Sequence, residues 1–220
     1  MPLTLSANQP VLCTRNLACE RDSRVLYDGL NVSVEAGDLW HVKGRNGAGK
    51  TTFLRQLAGL HPVDDGEILL ANPSARIIYI GHKLGLKEQL SADENLSWLA
   101  ALDGISTQEQ RYSALEKVGL RGFEENKVEQ LSAGQKRRVA LARLHLCQAD
   151  IWLLDEPFTS IDQQGVADEQ AWLNHHTLSG GIVLMTSHQE INLPQVKVLD
   201  LSQYTQTFTM RQKNKEGHLA

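Results

Sequence analysis

Residues 44 to 52 read GRNGAGKTT, a run of three glycines, one lysine and two threonines that has almost nothing to bury in a core. The run matches the spacing G-x-x-x-x-G-K-S/T, in which backbone amides curl around phosphate oxygens at a helix N-terminus. Bulky side chains would block this approach, so the spacing requires glycine. The predicted nucleotide-binding residues here are Gly44, Arg45, Asn46, Gly47, Ala48, Gly49, Lys50, Thr51 and Thr52.

Two side chains of this loop have predicted roles of their own. Lys50 would reach the β and γ phosphates of a nucleotide, and the hydroxyl of Thr51 would bind Mg²⁺. The alternative is a chance match in a turn-rich loop. The context favours phosphate binding, because the apolar run LWHVKG precedes the loop and a helical pattern follows it.

A second chemical pattern is the apolar run IWLLDEP at residues 151 to 157, which ends in two carboxylates. Asp155 at the end of a strand can hold Mg²⁺ through water, and Glu156 can polarise a water that attacks the γ phosphorus in line. The alternative is a strand followed by a solvated acidic turn. A phosphate loop in the same chain favours the catalytic interpretation.

A third pattern, LSAGQKRRVALARL, begins at Leu131. Ser132 is predicted to cap a helix whose first turn carries small residues and exposed amides, which makes a second potential anion site. Two anion sites for one nucleotide raise a question of stoichiometry.

The elements around these motifs follow from periodicity. Residues 11 to 44 read as short strands broken by turns, and after Gly49 the apolar residues Phe53, Leu54, Leu57 and Leu60 recur at helical spacing. HPVDDGEILL and ARIIYIGH predict a turn and two further strands. DIWLLDEP and GGIVLMTSH are typical of buried parallel strands, whose carboxyl ends face a ligand crevice.

Residues 91 to 147 read as mostly helical, an insertion between two strand-rich parts. Three helix starts are predicted there from capping boxes, in which a serine and a residue three positions later satisfy the first-turn amides. They are Ser91 with Glu94, Ser106 with Glu109, and Ser132 with Gln135.

Composition excludes several classes of function. The chain has 220 residues, with 22 basic against 26 acidic and no block of like charges, which argues against a nucleic-acid partner. Cys13, Cys19 and Cys147 have neither metal-ligand spacing nor an even count, so reduced thiols are expected. No apolar run is long enough for a membrane span, and the N-terminus lacks the features of a signal peptide.

Taken together, GRNGAGKT, LSAGQ and LLDEP resemble the motifs of the ATP-binding cassette family over residues 11 to 200. The resemblance implies an α/β fold, a P-loop NTPase cassette with an antiparallel β part and an inserted α-helical subdomain. The expected cassette covers residues 11–205, with the helical insertion at about 85–147 and a short tail at 206–220. Ala133 replaces one glycine of the usual LSGGQ signature.

The resemblance also answers the question of stoichiometry. In that family two cassettes pair head to tail, so Ser132, Gly134 and Gln135 of one copy would bind the nucleotide held by a second copy. His188 follows the strand IVLMTS where the family keeps a histidine that contacts the γ phosphate. Ser160 and Asp162 resemble a loop at the dimer contact.

Two positions depart from the family pattern. His82 stands where a glutamine usually senses Mg²⁺, although a neutral imidazole can still accept from a metal-bound water. The aromatic residue that would stack on adenine is missing, and CERDSR lies in its place. Arg21 is the predicted substitute, because its guanidinium plane can lie on the base; a solvated surface arginine is the open alternative.

With these departures, ACERDSRVLYDGL and IGHKLGLKEQLSADENL resemble ATPase subunits of haem exporters in bacterial cytochrome c maturation. The expected function is ATP hydrolysis coupled to export of haem or release of a haem-loaded chaperone. The expected partners are membrane-embedded subunits of that complex and a second copy of the chain, with a peripheral location at the cytoplasmic face of the inner membrane. The alternatives are an exporter of another cargo and an ATPase acting on ribosomes or DNA.

Overall fold

Two sheets and five α-helices make up the part of the chain described by the computed structural model, residues 10–101, 106–193 and 195–204. The strands are β1 Leu12–Arg21, β2 Arg24–Val34, β3 Leu39–Lys43, β4 Asp65–Leu70, β5 Ile77–Ile80, β6 Ile151–Asp155, β7 Ile182–Thr186 and β8 Val196–Asp200. The helices are α1 Lys50–Leu57, α2 Ala92–Ala100, α3 Gln108–Lys117, α4 Ala133–Ala142 and α5 Gln163–Leu178. Two short 3₁₀ helices cover Val128–Gln130 and Arg143–His145.

The N-terminal strands form an antiparallel sheet in the order β2-β1-β4. β1 and β2 are joined by a two-residue turn at Asp22 and Ser23, both with positive φ, 53° and 58°. Such a turn matches the right-handed twist of a hairpin. Leu17, Tyr27 and Leu30 are fully buried from this sheet into the main core. The strands predicted for this part of the sequence are confirmed.

A parallel sheet in the order β5-β6-β7-β3-β8 lies at the centre of the nucleotide-binding part. Every residue of β6 and β7 is buried, as expected for strands covered on both faces. The loops that follow β3, β6 and β7 therefore meet at one edge of the sheet. These strands are confirmed, whereas the edge strand β8 is absent from the sequence-based prediction.

The inserted helices α2, α3 and α4 share a separate apolar cluster that includes Leu96, Leu115 and Val139. The capping boxes at Ser91 and Ser132 are confirmed. The box predicted at Ser106 is wrong by one residue. Thr107 caps α3 instead, with its hydroxyl accepting from the amide of Gln110, while the Ser106 carbonyl accepts from an arginine of the helix.

Helix α1 is shorter than its apolar pattern predicts. Phe53, Leu54 and Leu57 are buried, but Leu60 lies beyond the helix and is 54% exposed. Gly59 has φ 68°, and the amides of Gly59 and Leu60 bond back to the carbonyls of Gln56 and Arg55. This Schellman-type end turns the chain away before Leu60 can join the buried face.

The proposed tail at 206–220 lies outside the described residues. In the ranges that are described, no helix has the length and apolar character of a membrane span.

Candidate functional site

The glycine loop connects β3 to α1 and leaves the first amides of the helix without a capping side chain. Gly44, Gly47 and Gly49 all have positive φ, and a Cβ on Gly49 would lie 3.0 Å from the Cβ of Leu26 and 3.1 Å from the ring of Tyr27. Glycine is therefore required by both conformation and space. The uncapped amides at the positive end of the helix can bind an anion.

Lys50 is the first residue of α1, and its side chain returns to the loop that precedes it. Its ammonium group donates to the carbonyl of Gly44 at 2.8 Å and lies 3.4 Å from that of Arg45. The positive charge thus sits beside the loop amides. A phosphate bound by those amides would meet it directly.

Asp155 ties three elements together at the end of β6. Its side chain is buried, with Oδ2 accepting from the hydroxyl of Thr51 at 2.7 Å and Oδ1 from the hydroxyl of Thr186 at 2.8 Å. These bonds link the strand to α1 and to β7. The result is a fixed carboxylate beside a threonine hydroxyl, a pair of oxygen donors of the kind that Mg²⁺ prefers.

Glu156 is held in a left-handed conformation, φ 55°. Its amide donates to Thr186 Oγ1 at 2.9 Å, and its Oε2 accepts from the His188 amide at 3.1 Å. Its other oxygen, Oε1, is buried, lies 3.5 Å from His188 Nε2, and has no hydrogen-bond partner among the described residues. Non-glycine residues with this φ are strained and cluster at functional sites. An unpaired carboxylate oxygen there can accept from a water.

These groups share one cavity of about 550 Å³. It brings together phosphate-loop residues, both carboxylates of the DEP turn, His188, His82 and Arg21, as the sequence predicts. Gly44, Arg45 and Ala48 belong to the loop but do not line this cavity. Its lining is Arg21, Asp22, Arg24, Leu26, Asn46, Gly47, Gly49, Lys50, Thr51, Thr52, His82, Asp155, Glu156 and His188.

The start of α4 lies apart from that cavity, since Ser132, Gly134 and Gln135 are absent from its lining. Ser132 and Gln135 satisfy each other's amides. A Cβ on Gly134 would lie 2.5 Å from the carbonyl oxygen of Ser160, so the turn packs directly on the loop after Glu156. The helix start that was predicted as a second anion site is therefore present, but it does not line the cavity at the phosphate loop.

An ion pair reinforces this contact, with Arg138 Nη2 lying 2.6 Å from Asp162 Oδ1. Asp162 also caps α5. The segment predicted as a dimer-contact loop is thus held between α4 and α5.

Three functional candidates were missed by sequence reasoning. Arg24 lines the cavity beside Arg21. Arg137 is buried and donates to the carbonyl of Gly81, next to His82, at 3.1 Å. Glu169 on α5 is buried with no partner for Oε2 in the described part of the chain, and burial raises its pKa to about 8. For Arg24, the only sequence signal was its closeness to Arg21. Arg137 and Glu169 gave no signal, because a charged residue within a helix ordinarily indicates a face exposed to solvent.

Comparison with known proteins gives a consistent result. A family model described as ABC transporter matches residues 27–159. The chain is 47% identical over 206 residues to the cytochrome c biogenesis ATP-binding export protein CcmA of Saccharophagus degradans, covering 86% of this chain and 92% of that one. It is 48% identical over 184 residues to the protein of the same name from Pseudomonas putida, covering 80% and 88%.

Solved structures show the same fold. An ABC transporter ATP-binding protein from Pyrococcus furiosus superposes with a TM-score of 0.77 at 26% identity, covering 88% of this chain and 98% of that one. A dimeric post-hydrolysis state of an ATP-binding cassette, bound to ADP and phosphate, superposes with a TM-score of 0.72 at 20% identity, covering 81% and 88%.

Proposed function

The chain belongs to the ABC transporter family of ATP-binding proteins, and from this we propose that it is the ATP-hydrolysing subunit of a haem exporter in cytochrome c biogenesis. One observation carries the ATPase part of the proposal. The cavity places Lys50 and Thr51 of the phosphate loop together with Glu156 and His188. The export part is supported by the identity to the CcmA proteins over most of both chains.

Phosphate binding would come from the loop. The amides at the start of α1 and the Lys50 ammonium bind the β and γ phosphates, and the ammonium exchanges its carbonyl partners for phosphate oxygens. Phosphate oxygens carry a negative charge that carbonyl oxygens lack, so this exchange is favourable for the ammonium.

Hydrolysis would depend on Glu156 and His188. The free Oε1 of Glu156 accepts a hydrogen bond from the attacking water and orients it for in-line attack. The backbone amide of His188 donates to the other carboxylate oxygen and favours this orientation of the carboxylate. The imidazole of His188, beside this carboxylate, is positioned to contact the γ phosphate.

Mg²⁺ fits the donors at the end of β6, since Thr51 and Asp155 supply hydroxyl and carboxylate oxygens. When bound, it would neutralise the charge that develops on the β and γ phosphate oxygens. His82 lines the same cavity and would accept from a water of the metal rather than bind it directly. Asp155 is oriented for this role by Thr186.

Pairing of two copies would complete each nucleotide site. Ser132, Gly134 and Gln135 do not line the cavity of their own chain, so in a head-to-tail pair they would bind the nucleotide held by the other copy. The dimeric cassette bound to ADP and phosphate offers a structural precedent for a pair of this fold. Gly134 contacts Ser160, so the loop that we propose as a dimer contact lies beside the same turn.

The remaining partners would be membrane-embedded subunits of the cytochrome c maturation complex. The name of the curated relatives, an ATP-binding export protein, supports this assignment. We place the chain as a peripheral subunit at the cytoplasmic face of the bacterial inner membrane, moving either haem or a haem-loaded chaperone. The cassette would span residues 11–205, with the helical insertion at about 85–147.

The test is complementation in the native host. With the gene deleted, covalent haem in c-type cytochromes is measured by haem staining after denaturing electrophoresis. The wild-type gene and the exposed-site control Glu67→Gln should restore it, and Glu156→Gln should not. Purification of the tagged protein in mild detergent should recover cytochrome c maturation proteins. Normal haem attachment in the deletion strain, or recovery with ribosomes or DNA instead, would overturn the export assignment and leave the ATPase chemistry standing.

A further inference from the structure

Strand β3 lies beside the loop that carries His188, and one side chain of β3 bonds to that loop. His41 is the Cα partner of Met185 in the parallel pairing of β3 with β7, and its side chain is buried. Its Nε2 atom lies 3.0 Å from the carbonyl oxygen of Ser187. His41 therefore ties the start of the loop after β7 to the strand that leads into the phosphate loop.

The hydrogen bond and the burial of His41 together define which ring nitrogen carries the proton. A backbone carbonyl oxygen can only accept a hydrogen bond, so the nitrogen that faces it must donate. Burial is the main cause that lowers the pKa of His41 from its ordinary value of 6.5, so the ring is neutral at neutral pH and carries a single proton. That proton lies on Nε2, which donates to Ser187.

The Ser187 carbonyl and the His188 amide belong to the same peptide group. In a trans peptide group, the oxygen and the amide hydrogen point in opposite directions. The oxygen accepts from His41, and on the other side the amide donates to Oε2 of Glu156 at 3.1 Å. Hydrogen bonds in such a chain polarise one another, so the bond from His41 strengthens the bond to the carboxylate. The peptide group thus connects the buried imidazole to Glu156.

Packing contributes little to the position of this peptide group. Ser187 is only half-buried, and His188 and Gln189 are exposed. Their loop lines the nucleotide cavity and also a second cavity of about 520 Å³, which His41 borders. Ser187 and Gln189 bond to each other within the loop, and the Gln189 side chain reaches the carbonyl of Phe158 only at 3.4 Å. The bond from His41 therefore fixes the direction of the peptide group relative to the sheet.

We propose that His41 is a positioning residue for ATP hydrolysis, which holds the Ser187–His188 peptide group and, through it, the Glu156 carboxylate. The inference rests on the proposed function, since it concerns the carboxylate that orients the attacking water. With Oε2 bonded to the amide, Oε1 stays free to accept from that water. Without the bond from His41, the peptide group is free to rotate, and Oε2 loses a fixed donor.

The first measurement compares two substitutions of similar length at position 41. His41→Gln places an amide nitrogen near the position of Nε2 and can still donate to Ser187, whereas His41→Met fills similar space without a donor. The kcat of ATP hydrolysis should stay within about threefold of wild type in His41→Gln and fall roughly ten- to a hundredfold in His41→Met, the cost of a misplaced catalytic group. The KM for ATP should change by less than about threefold, because the phosphate-binding groups remain. Equal kcat values in the two variants would overturn the proposal.

A double-mutant cycle tests whether His41 acts through Glu156. The residual hydrolysis of the Glu156→Gln variant is measured in single turnovers with radiolabelled ATP. In this background His41→Met should reduce the rate by less than about twofold, because the carboxylate that it positions is already absent. A loss as large as in the wild-type background would show that His41 supports the fold in general, and the positioning role would be wrong.

Two further variants control for damage to the fold. His145→Met replaces another partly buried histidine, whose Nε2 has no hydrogen-bond partner among the described residues, and it should hydrolyse ATP like wild type. If His41→Met does not unfold cooperatively on heating, His41→Asn takes its place. Its amide ends one methylene short of the Ser187 carbonyl, so the same loss of kcat relative to His41→Gln is expected.

The same measurements distinguish failure of this inference from failure of the proposed function. If Glu156→Gln keeps near-normal turnover, the role of Glu156 is wrong, and the positioning of its carboxylate is wrong with it. If Glu156→Gln loses activity while His41→Met matches His41→Gln, the ATPase assignment stands and the positioning role of His41 alone is wrong.

Discussion

Two regions of the molecule are predicted to contact a nucleotide: the carboxyl edge of the parallel sheet and the N-terminus of α4. They differ in their hydrogen bonds and in whether they line the cavity. At the sheet edge, Asp155 bonds to Thr51 and Thr186, so three elements converge on one cavity. At α4, Ser132 and Gln135 bond to each other's amides and do not line that cavity. The sheet edge is assembled by folding around one cavity, whereas the start of α4 lies outside that cavity, as its proposed action on a second copy requires.

The buried carboxylates Asp155 and Glu169 also differ in their hydrogen bonding. Both oxygens of Asp155 accept hydrogen bonds. Glu169 on α5 is also buried, yet its Oε2 has no hydrogen-bond partner in the described residues. An unsatisfied buried acceptor is destabilising. Asp155 is therefore fixed by its hydrogen bonds, whereas burial raises the pKa of Glu169 to about 8, so the charge of Glu169 depends on pH.

The sharpest test of the sheet edge is Glu156→Gln. The amide keeps the size of the side chain but is a poor base, so we expect ATP hydrolysis to fall roughly 10²- to 10⁴-fold. Nucleotide affinity should be retained, because Lys50 and the loop amides are untouched. The check is steady-state ATPase with a parallel binding titration. Glu67→Gln is the control for the loss of one charge, and near-normal turnover in Glu156→Gln would remove Glu156 from its assigned role.

Mixing two defective variants tests whether the sheet edge of one copy and the α4 start of another act on the same nucleotide. Lys50→Ala should weaken nucleotide binding roughly ten- to a hundredfold by removing a charged hydrogen-bond donor, and Ser132→Ala should impair the α4 site. In a head-to-tail pair, one Lys50→Ala copy and one Ser132→Ala copy leave one intact site. Random pairing should then restore about a quarter of the wild-type sites.

The control for this experiment is Ser91→Ala. It removes an equivalent capping box from α2, at a cost of about 1 kcal/mol, without touching either site. ATPase activity should therefore survive in Ser91→Ala alone and fall in Ser132→Ala alone. If the mixture is no more active than its components, the two sites do not act across a pair.

The same contrast explains what the sequence could predict. The positions of the glycine loop and the DEP turn could be predicted because each is a local pattern at the end of an apolar strand, and parallel strands bring their ends to one edge. Arg137 and Glu169 could not be predicted, since their burial depends on packing between α4, α5 and the loop at Gly81. The roles of the site residues remain predictions.

The smaller errors of the sequence-based prediction also occur where contacts outside the local pattern decide the structure. The cap of α3 is Thr107 and not the predicted Ser106. Both residue types can cap a helix, and the choice depends on contacts with Arg111. Leu60 fits the helical period of α1 but follows a left-handed Gly59 that ends the helix. Strand β8 could not be predicted from local pattern, because its partner among the described strands is β3, which lies far away in sequence.

Glu169→Gln tests how the charge of the buried Glu169 side chain makes stability depend on pH. Burial raises the pKa of Glu169 to about 8, so the folded state holds a proton that the unfolded state releases above its ordinary value of 4.5. This group's contribution to the free energy of unfolding should therefore decrease as pH rises from about 5 to about 8. Glu169→Gln should flatten that decrease, by roughly 1–3 kcal/mol at pH 8. Urea unfolding at a series of pH values measures it, and an unchanged slope relative to Glu67→Gln would contradict the assignment.

His82→Gln should have the smallest effect, since it alters a residue that borders the sheet-edge cavity without bonding to the fixed carboxylates. Glutamine offers an oxygen acceptor in place of the imidazole nitrogen, so ATPase activity should stay within about twofold of wild type. His82→Ala offers no acceptor and should lose more, about three- to tenfold, the worth of one hydrogen bond. Activity measured against Mg²⁺ concentration separates the two variants. Equal activity in both would mean that His82 contacts nothing in the reaction, and the sheet edge would then act through Thr51, Asp155 and Glu156 alone.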